Sequence, residues 1–181
     1  MVVPGKSIAG VELSMSRKKV ISVLGKPTEE TSSKDIGQMG VLRVLGGGTI
    51  KGEMPQMTIL VYSSPPLFVV LHEDNKVGAL QLNYTDSVHV EGYDFLKFKY
   101  LTKEQVECIG KPSSVIRDKE SEQKMLSIAP KGINIEYYVY EYDPPGLVLG
   151  LVFDRTKEQS SNYFIGHNLI AVGVGRKQLE R

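Results

Sequence analysis

The chain has 181 residues, 41% of them hydrophobic and 24% charged, which is room for one ordinary domain or two small ones with a buried core. Twenty-two basic against twenty-one acidic side chains leave a net charge of +1, so no long-range field is set up and a nucleic-acid partner is not expected. The longest apolar run, Leu67 to Leu71, is far below the roughly 18 to 20 residues that cross a bilayer, so no membrane span is expected.

In chain order, Met1 to Gly10 is too polar and short for a secretory signal. Gly5-Lys6-Ser7 mimics the end of a phosphate-binding loop, but the first glycine of such a loop, separated by four residues from the Gly-Lys pair, is missing. A short helix follows, with Ser16 placed to cap its first turn and Met15 placed to fold over Val20. Gly25 and Pro27 stop it after about two turns. Arg17-Lys18-Lys19 reads as a solvated end. Strands are expected at Gly40 to Leu45, Met57 to Ser63, Leu67 to His72 and Lys76 to Leu82, with a hairpin turn at Asp74-Asn75. Gly46-Gly47-Gly48 precedes no helix and reads as a hairpin loop rather than a phosphate cradle.

The second half repeats this plan. Thr102 and Gln105 form a capping box, Leu101 faces Val106, and Gly110 and Pro112 end a second short helix. Cys108, the one cysteine, would be a small buried filler on that helix; it permits no internal disulfide. Strands are expected at Lys124 to Ala129, Ile133 to Tyr142, Leu147 to Phe153 and Asn168 to Val174. Tyr62-Ser63-Ser64-Pro65-Pro66 matches Tyr142-Asp143-Pro144-Pro145, and Asn75-Lys76-Val77 matches Asn168-Leu169-Ile170. A polar insertion runs from about Arg155 to His167, and the linker between copies falls near Asp86 to Glu91. The expected fold is α+β: two units, residues 1–88 and 89–181, each a short helical segment on a roughly four-stranded antiparallel sheet. The two sheets could join edge to edge into one continuous concave sheet with one broad face in water.

Val11-Glu12-Leu13-Ser14-Met15-Ser16, Val20 and Leu24-Gly25-Lys26-Pro27 resemble the signature that opens units of the beta-lactamase-inhibitor-protein-like superfamily, which includes the SmpA/OmlA-type outer-membrane-assembly lipoproteins. The resemblance implies two helix-plus-sheet units presenting an aromatic partner-binding surface. It also implies a bacterial envelope or secreted location if a leader is removed from a precursor, with the cytoplasm left open. The inhibitors carry disulfides and binding-face tryptophans, whereas this chain has a single cysteine and no tryptophan. Fold and binding face carry over; lactamase inhibition does not.

The sharpest feature is Ile133-Asn134-Ile135-Glu136-Tyr137-Tyr138-Val139-Tyr140-Glu141-Tyr142. Strand periodicity sends Ile133, Ile135, Tyr137 and Val139 to a core face and Glu136, Tyr138, Tyr140 and Tyr142 to a polar face. Exposed tyrosines offer large, rigid contact area with a hydroxyl tip, so Tyr138, Tyr140, Tyr142 and Glu136 are the candidate partner-binding residues, with Tyr62, Tyr84 and Phe68 as extensions. The alternatives are plain cross-strand pairing or cover by the insertion. His72, His89 and His167 are far apart in sequence, with His72 and His167 at corresponding turns. Asp74 and Asp154 read as turn formers, and Arg176-Lys177 as a solvated end.

No catalytic, cofactor-binding or metal-binding constellation stands out, and no cofactor is expected. The leading expectation is a non-enzymatic module binding a protein partner, with self-association open. The others are an assembly lipoprotein of the bacterial envelope, and a small-ligand carrier or enzyme with a pocket between the sheets using His72, His167 and nearby carboxylates.

Overall fold

The computed structural model describes residues 1–32, 57–83, 89–92, 100–101, 108–142, 147–154 and 167–175. The expected strand at 40–45, the loop at 46–48, Thr102 to Glu107 of the second helix, Tyr84 and most of the Arg155 to His167 insertion lie outside them.

The chain starts as a three-stranded meander, β1 (Val2–Val3), β2 (Ser7–Ile8) and β3 (Val11–Glu12). Helix α1 (Arg17–Leu24) follows as its caps predict: the Lys19 amide donates to the Ser16 hydroxyl at 3.4 Å, and the Gly25 amide to the Ile21 carbonyl at 2.9 Å. Gly25 sits at φ 81°, a conformation glycine adopts without a Cβ clash. The remaining strands are β4 (Glu29–Ser32), β5 (Thr58–Ser63), β6 (Pro66–Leu71), β7 (Val77–Asn83), β8 (Tyr100–Leu101), β9 (Ser114–Arg117), β10 (Ile135–Tyr142), β11 (Leu147–Asp154) and β12 (His167–Gly175). A second helix, α2 (Lys119–Ile128), joins β9 to β10. It replaces the strand expected at Lys124 to Ala129. Its less exposed positions, Glu122, Met125 and Leu126, recur at helical spacing, but the first of them is a glutamate, which hides the period.

Among the described residues, β4 to β12 form one sheet in the order β4-β5-β6-β7-β12-β11-β10-β9, every neighbouring pair antiparallel, with β8 pairing β12 beyond the end of β7. The registers of its two halves correspond. Tyr62 faces Leu67 as Tyr142 faces Leu147, and Leu60 faces Val69 as Tyr140 faces Leu149. The bulge between Val70 and Leu71 recurs between Gly150 and Leu151. The Thr28 amide donates to the Val61 carbonyl and the Ser113 amide to the Glu141 carbonyl, each at 2.8 Å. At the junction Gln81 faces Gly173, with Leu80 and Leu82 facing Val174 and Val172 on either side.

The registers also correct two sequence alignments. Leu71 pairs with Val77 and Leu151 with Leu169, so Asn168-Leu169 matches Lys76-Val77, one residue from the expected alignment. His72 accordingly corresponds to Val152, which faces Asn168, and not to His167.

Both faces of the sheet carry buried side chains. On one, Leu60, Tyr62, Leu67, Val69, Leu71, Leu80, Tyr142, Leu147, Leu149 and Leu151 pack with Val20 of α1 and with Val2, Ile8 and Val11 of the meander. On the other, Ile59, Phe68, Val70, Ala79, Tyr137, Val139, Val148 and Val152 pack with Met125 of α2. The expectation of one broad face left to water is thus corrected. Hiding a large apolar side chain is worth about 1.5–3 kcal/mol, and that gain draws cover to both faces. The expected linker is tied down as well: the Val2 amide donates to the His89 carbonyl at 2.7 Å, the Glu91 amide to the Val2 carbonyl at 2.9 Å, and Val90 is buried.

Candidate binding face

Strand β10 alternates as its period dictates, with Tyr137 and Val139 in one cluster and Tyr138, Tyr140 and Tyr142 in the other. The tyrosine side is also the side of α1 and the meander, and this changes the exposure of the candidates. Tyr142 is 2% and Tyr62 5% exposed, so neither offers a surface. Tyr62 is buried because its hydroxyl closes the end of α1, donating to the Gly25 carbonyl at 3.2 Å. Phe68 is buried on the opposite face. Tyr138 and Tyr140 remain half-buried. The Tyr140 and Tyr142 rings stack at 6.5 Å and 17°, while Tyr138 and Tyr140 meet tilted at 6.3 Å. Burial, with the neighbouring Tyr140 phenol adding to it, pushes the Tyr142 hydroxyl up to about 12.

Beside this row lies β9. Arg117 faces Tyr138 and Val115 faces Tyr140. The Arg117 guanidinium carbon stands 5.9 Å from the Tyr138 ring centroid. It donates from Nε and Nη2 to Glu122 at 2.9 and 2.8 Å, and its Nη1 pairs with Glu136 at 2.9 Å. Glu136 also accepts from the Tyr138 hydroxyl at 3.3 Å. The Glu122 carboxylate further accepts from the Tyr137 amide at 3.3 Å. It thereby stands in for the strand carbonyl that β9 no longer supplies, because the Asp118 carbonyl has turned to accept from the Glu122 amide and begin α2. The hydrogen bonds from Arg117 hold the Glu122 carboxyl below its ordinary range and, in return, hold the guanidinium further from deprotonation. Glu136 is therefore committed to an intramolecular ion pair. Neither Arg117 nor Val115 was singled out from the sequence; the only signal was that Ser113-Ser114-Val115-Ile116 follows Gly110-Lys111-Pro112 as Thr28-Glu29-Glu30-Thr31 follows Gly25-Lys26-Pro27.

The histidine pocket is not assembled. The two halves join edge to edge, so β7 and β12 are neighbours in one sheet. His72 lies at the turn before β7, whereas His167 opens β12 beside the far end of β7. At ~3.3 Å per residue the length of β12 alone puts them more than about 25 Å apart along the strands. His89 is exposed, its carbonyl engaged by the first strand. Asp74 serves the β6–β7 turn, accepting from the Lys76 amide at 3.1 Å, with Asn75 at φ 57°. Asp154 ends β11 at the opposite end of the sheet. Among the described residues no group of three or more His, Cys, Asp or Glu is placed to hold a metal. Cys108 is exposed in a turn rather than buried on a helix, and its neighbour Ile109 takes the inward position. No helix of the described residues is long and apolar enough to cross a membrane.

No protein-family model matches the chain, and neither the curated proteins nor the solved structures contain a match to it.

Proposed function

We propose that the chain is a non-enzymatic protein-binding module, built of two tandem helix-plus-sheet units, that engages a partner protein through the outer end of its tyrosine face. The tandem reading is supported by the matched registers, the matched bulges and the pairing of β7 with β12 where the two halves meet. The binding reading rests on one observation: Val115, 48% exposed, stands beside the half-buried Tyr140, next to the Arg117–Tyr138 pair. An apolar residue left open against aromatic rings, edged by a guanidinium, has the composition of an interface core. The working residues are Tyr138, Tyr140, Val115 and Arg117, with Glu136 holding Arg117 and Tyr138 in place.

The test is affinity capture by the wild-type chain and by a Tyr138→Ala, Tyr140→Ala double variant whose fold is checked by thermal melting. A protein retained by the wild type and lost by the double variant is the expected result. Equal retention by both folded proteins rejects the reading.

A further inference from the structure

The two outer strands of the sheet, β4 and β9, hold corresponding places but carry opposite chemistry. The Asp118 amide donates to the Tyr137 carbonyl at 3.0 Å. Hydrogen-bonded and non-hydrogen-bonded pairs alternate along an antiparallel ladder, so Ile116 turns its N–H and C=O toward β10, whereas Val115 and Arg117 turn theirs outward. Among the described residues no strand pairs with that outer side of β9. The position matching Val115 on β4 is Glu30, since Ser113 and Thr28 make the same bond to β10 and β5 and the ladders start at Ser114 and Glu29. Glu30 is exposed and paired with Arg17 of α1. A charged side chain at the edge is how sheets prevent further pairing. The first half has this guard; the second has an exposed valine in its place.

We infer that the outer edge of β9 is a strand-addition site, at which an extended, uncharged segment of the partner protein pairs with Val115 and Arg117 and lays an apolar side chain over Val115 and Tyr140. This rests on the protein-binding reading and names what is bound. The Arg117 guanidinium is engaged by Glu122 and Glu136, so charge is not what this edge recognises. It offers main-chain groups and an apolar row, the terms on which strand-adding peptides bind. A second copy meeting this one through four-residue β9 strands alone would bury far less than the roughly 1,200 Å² of a stable complex, which favours a partner that also covers the tyrosines.

The probe is a displayed library of random seven-residue peptides selected on the full wild-type chain, with the enriched sequences then made as synthetic peptides. Selected peptides are expected to alternate apolar residues and to lose affinity when alternate backbone amides are N-methylated. The informative variant is Val115→Pro: its N–H points away from β10, so proline removes an outward donor without touching the inner ladder. It is expected to melt near the wild type and to bind the peptide at least tenfold more weakly. Val115→Glu, copying Glu30, is a second variant should the proline unfold the edge, and amide exchange at Val115 and Arg117 is expected to slow when peptide binds. No enriched peptide, or equal binding by wild type and Val115→Glu, overturns the inference. Peptide binding lost only in the Tyr138→Ala, Tyr140→Ala variant overturns the edge and leaves the tyrosine-face reading standing. A wild-type mass that doubles at micromolar concentration and is single for Val115→Glu assigns the edge to a second copy and likewise overturns it.

Discussion

Tyr62 and Tyr142 occupy the same place in their hairpins, opposite Leu67 and Leu147, and both are buried, yet Tyr62 donates to the Gly25 carbonyl while the Tyr142 hydroxyl has no partner among the described residues. The matching carbonyl in the second half belongs to Gly110. A buried hydroxyl that makes its bond contributes about 0.5–1.5 kcal/mol, and one that does not costs on the order of 1–3 kcal/mol. Tyr62→Phe is therefore expected to destabilise the protein by about 1 kcal/mol, and Tyr142→Phe to be neutral or stabilising. Chemical denaturation of the two variants checks this; equal losses would contradict it.

The same burial sets the alkaline limit. Tyr142, pushed to about 12, and Tyr62, raised by burial against the opposing charge of Arg17, both hold their protons in the fold above the ordinary value of 10.0. Between pH 10 and about 12 the unfolded chain gives up these protons while the folded chain keeps them, so the native state binds more protons and stability falls as pH rises. The contribution is complete below pH 10 and lost on passing through the folded values. Phenolate absorbance at 295 nm is expected to rise for these groups together with unfolding, and Tyr142→Phe is expected to flatten the fall.

At the acid end Glu122 has the opposite sign. The Arg117 hydrogen bonds hold its carboxyl below the ordinary 4.5, so its stabilisation is present above that pH and is lost as pH falls through the lower folded value. Glu122→Gln keeps an acceptor for the Tyr137 amide but loses the charge, with an expected cost of about 1–3 kcal/mol at neutral pH. The variant's stability should fall less steeply below pH 4.5 than the wild type's. An unchanged acid limb would mean that Glu122 does not carry it.

The apolar strands, the ends of α1 and the Asp74-Asn75 turn were legible because each has a local signature: a period of two, a capping serine, a residue tolerant of positive φ. The short outer strands were not. Glu29–Ser32 is polar throughout, and Ser114–Arg117 is too short for its alternation to stand out. Helix α2 hid behind Glu122, whose burial follows from Arg117, and no local pattern announces an ion pair. The alternation of Glu136 to Tyr142 gave the two faces correctly, but alternation cannot say what lies on each face. That is why Tyr142 and Tyr62 read as surface residues and are core.

Gly78 lies under the His72 imidazole, and a Cβ added there would fall 1.9 Å from its Nε2. No contact of that length survives, so Gly78→Ala has to push the ring out of its half-buried position. The Gly78 Cα is then needed for the ring's placement and not for backbone freedom, since Gly78 is not among the residues with positive φ. Gly78→Ala alone is expected to cost on the order of 1 kcal/mol through lost ring packing. In a His72→Ala background the space is free, and removing a strand glycine should be neutral or slightly stabilising. The double-mutant cycle is therefore expected to show a coupling of 0.5 kcal/mol or more, in the range found for residues in contact. Strict additivity in urea denaturation would show that the ring does not rest on Gly78.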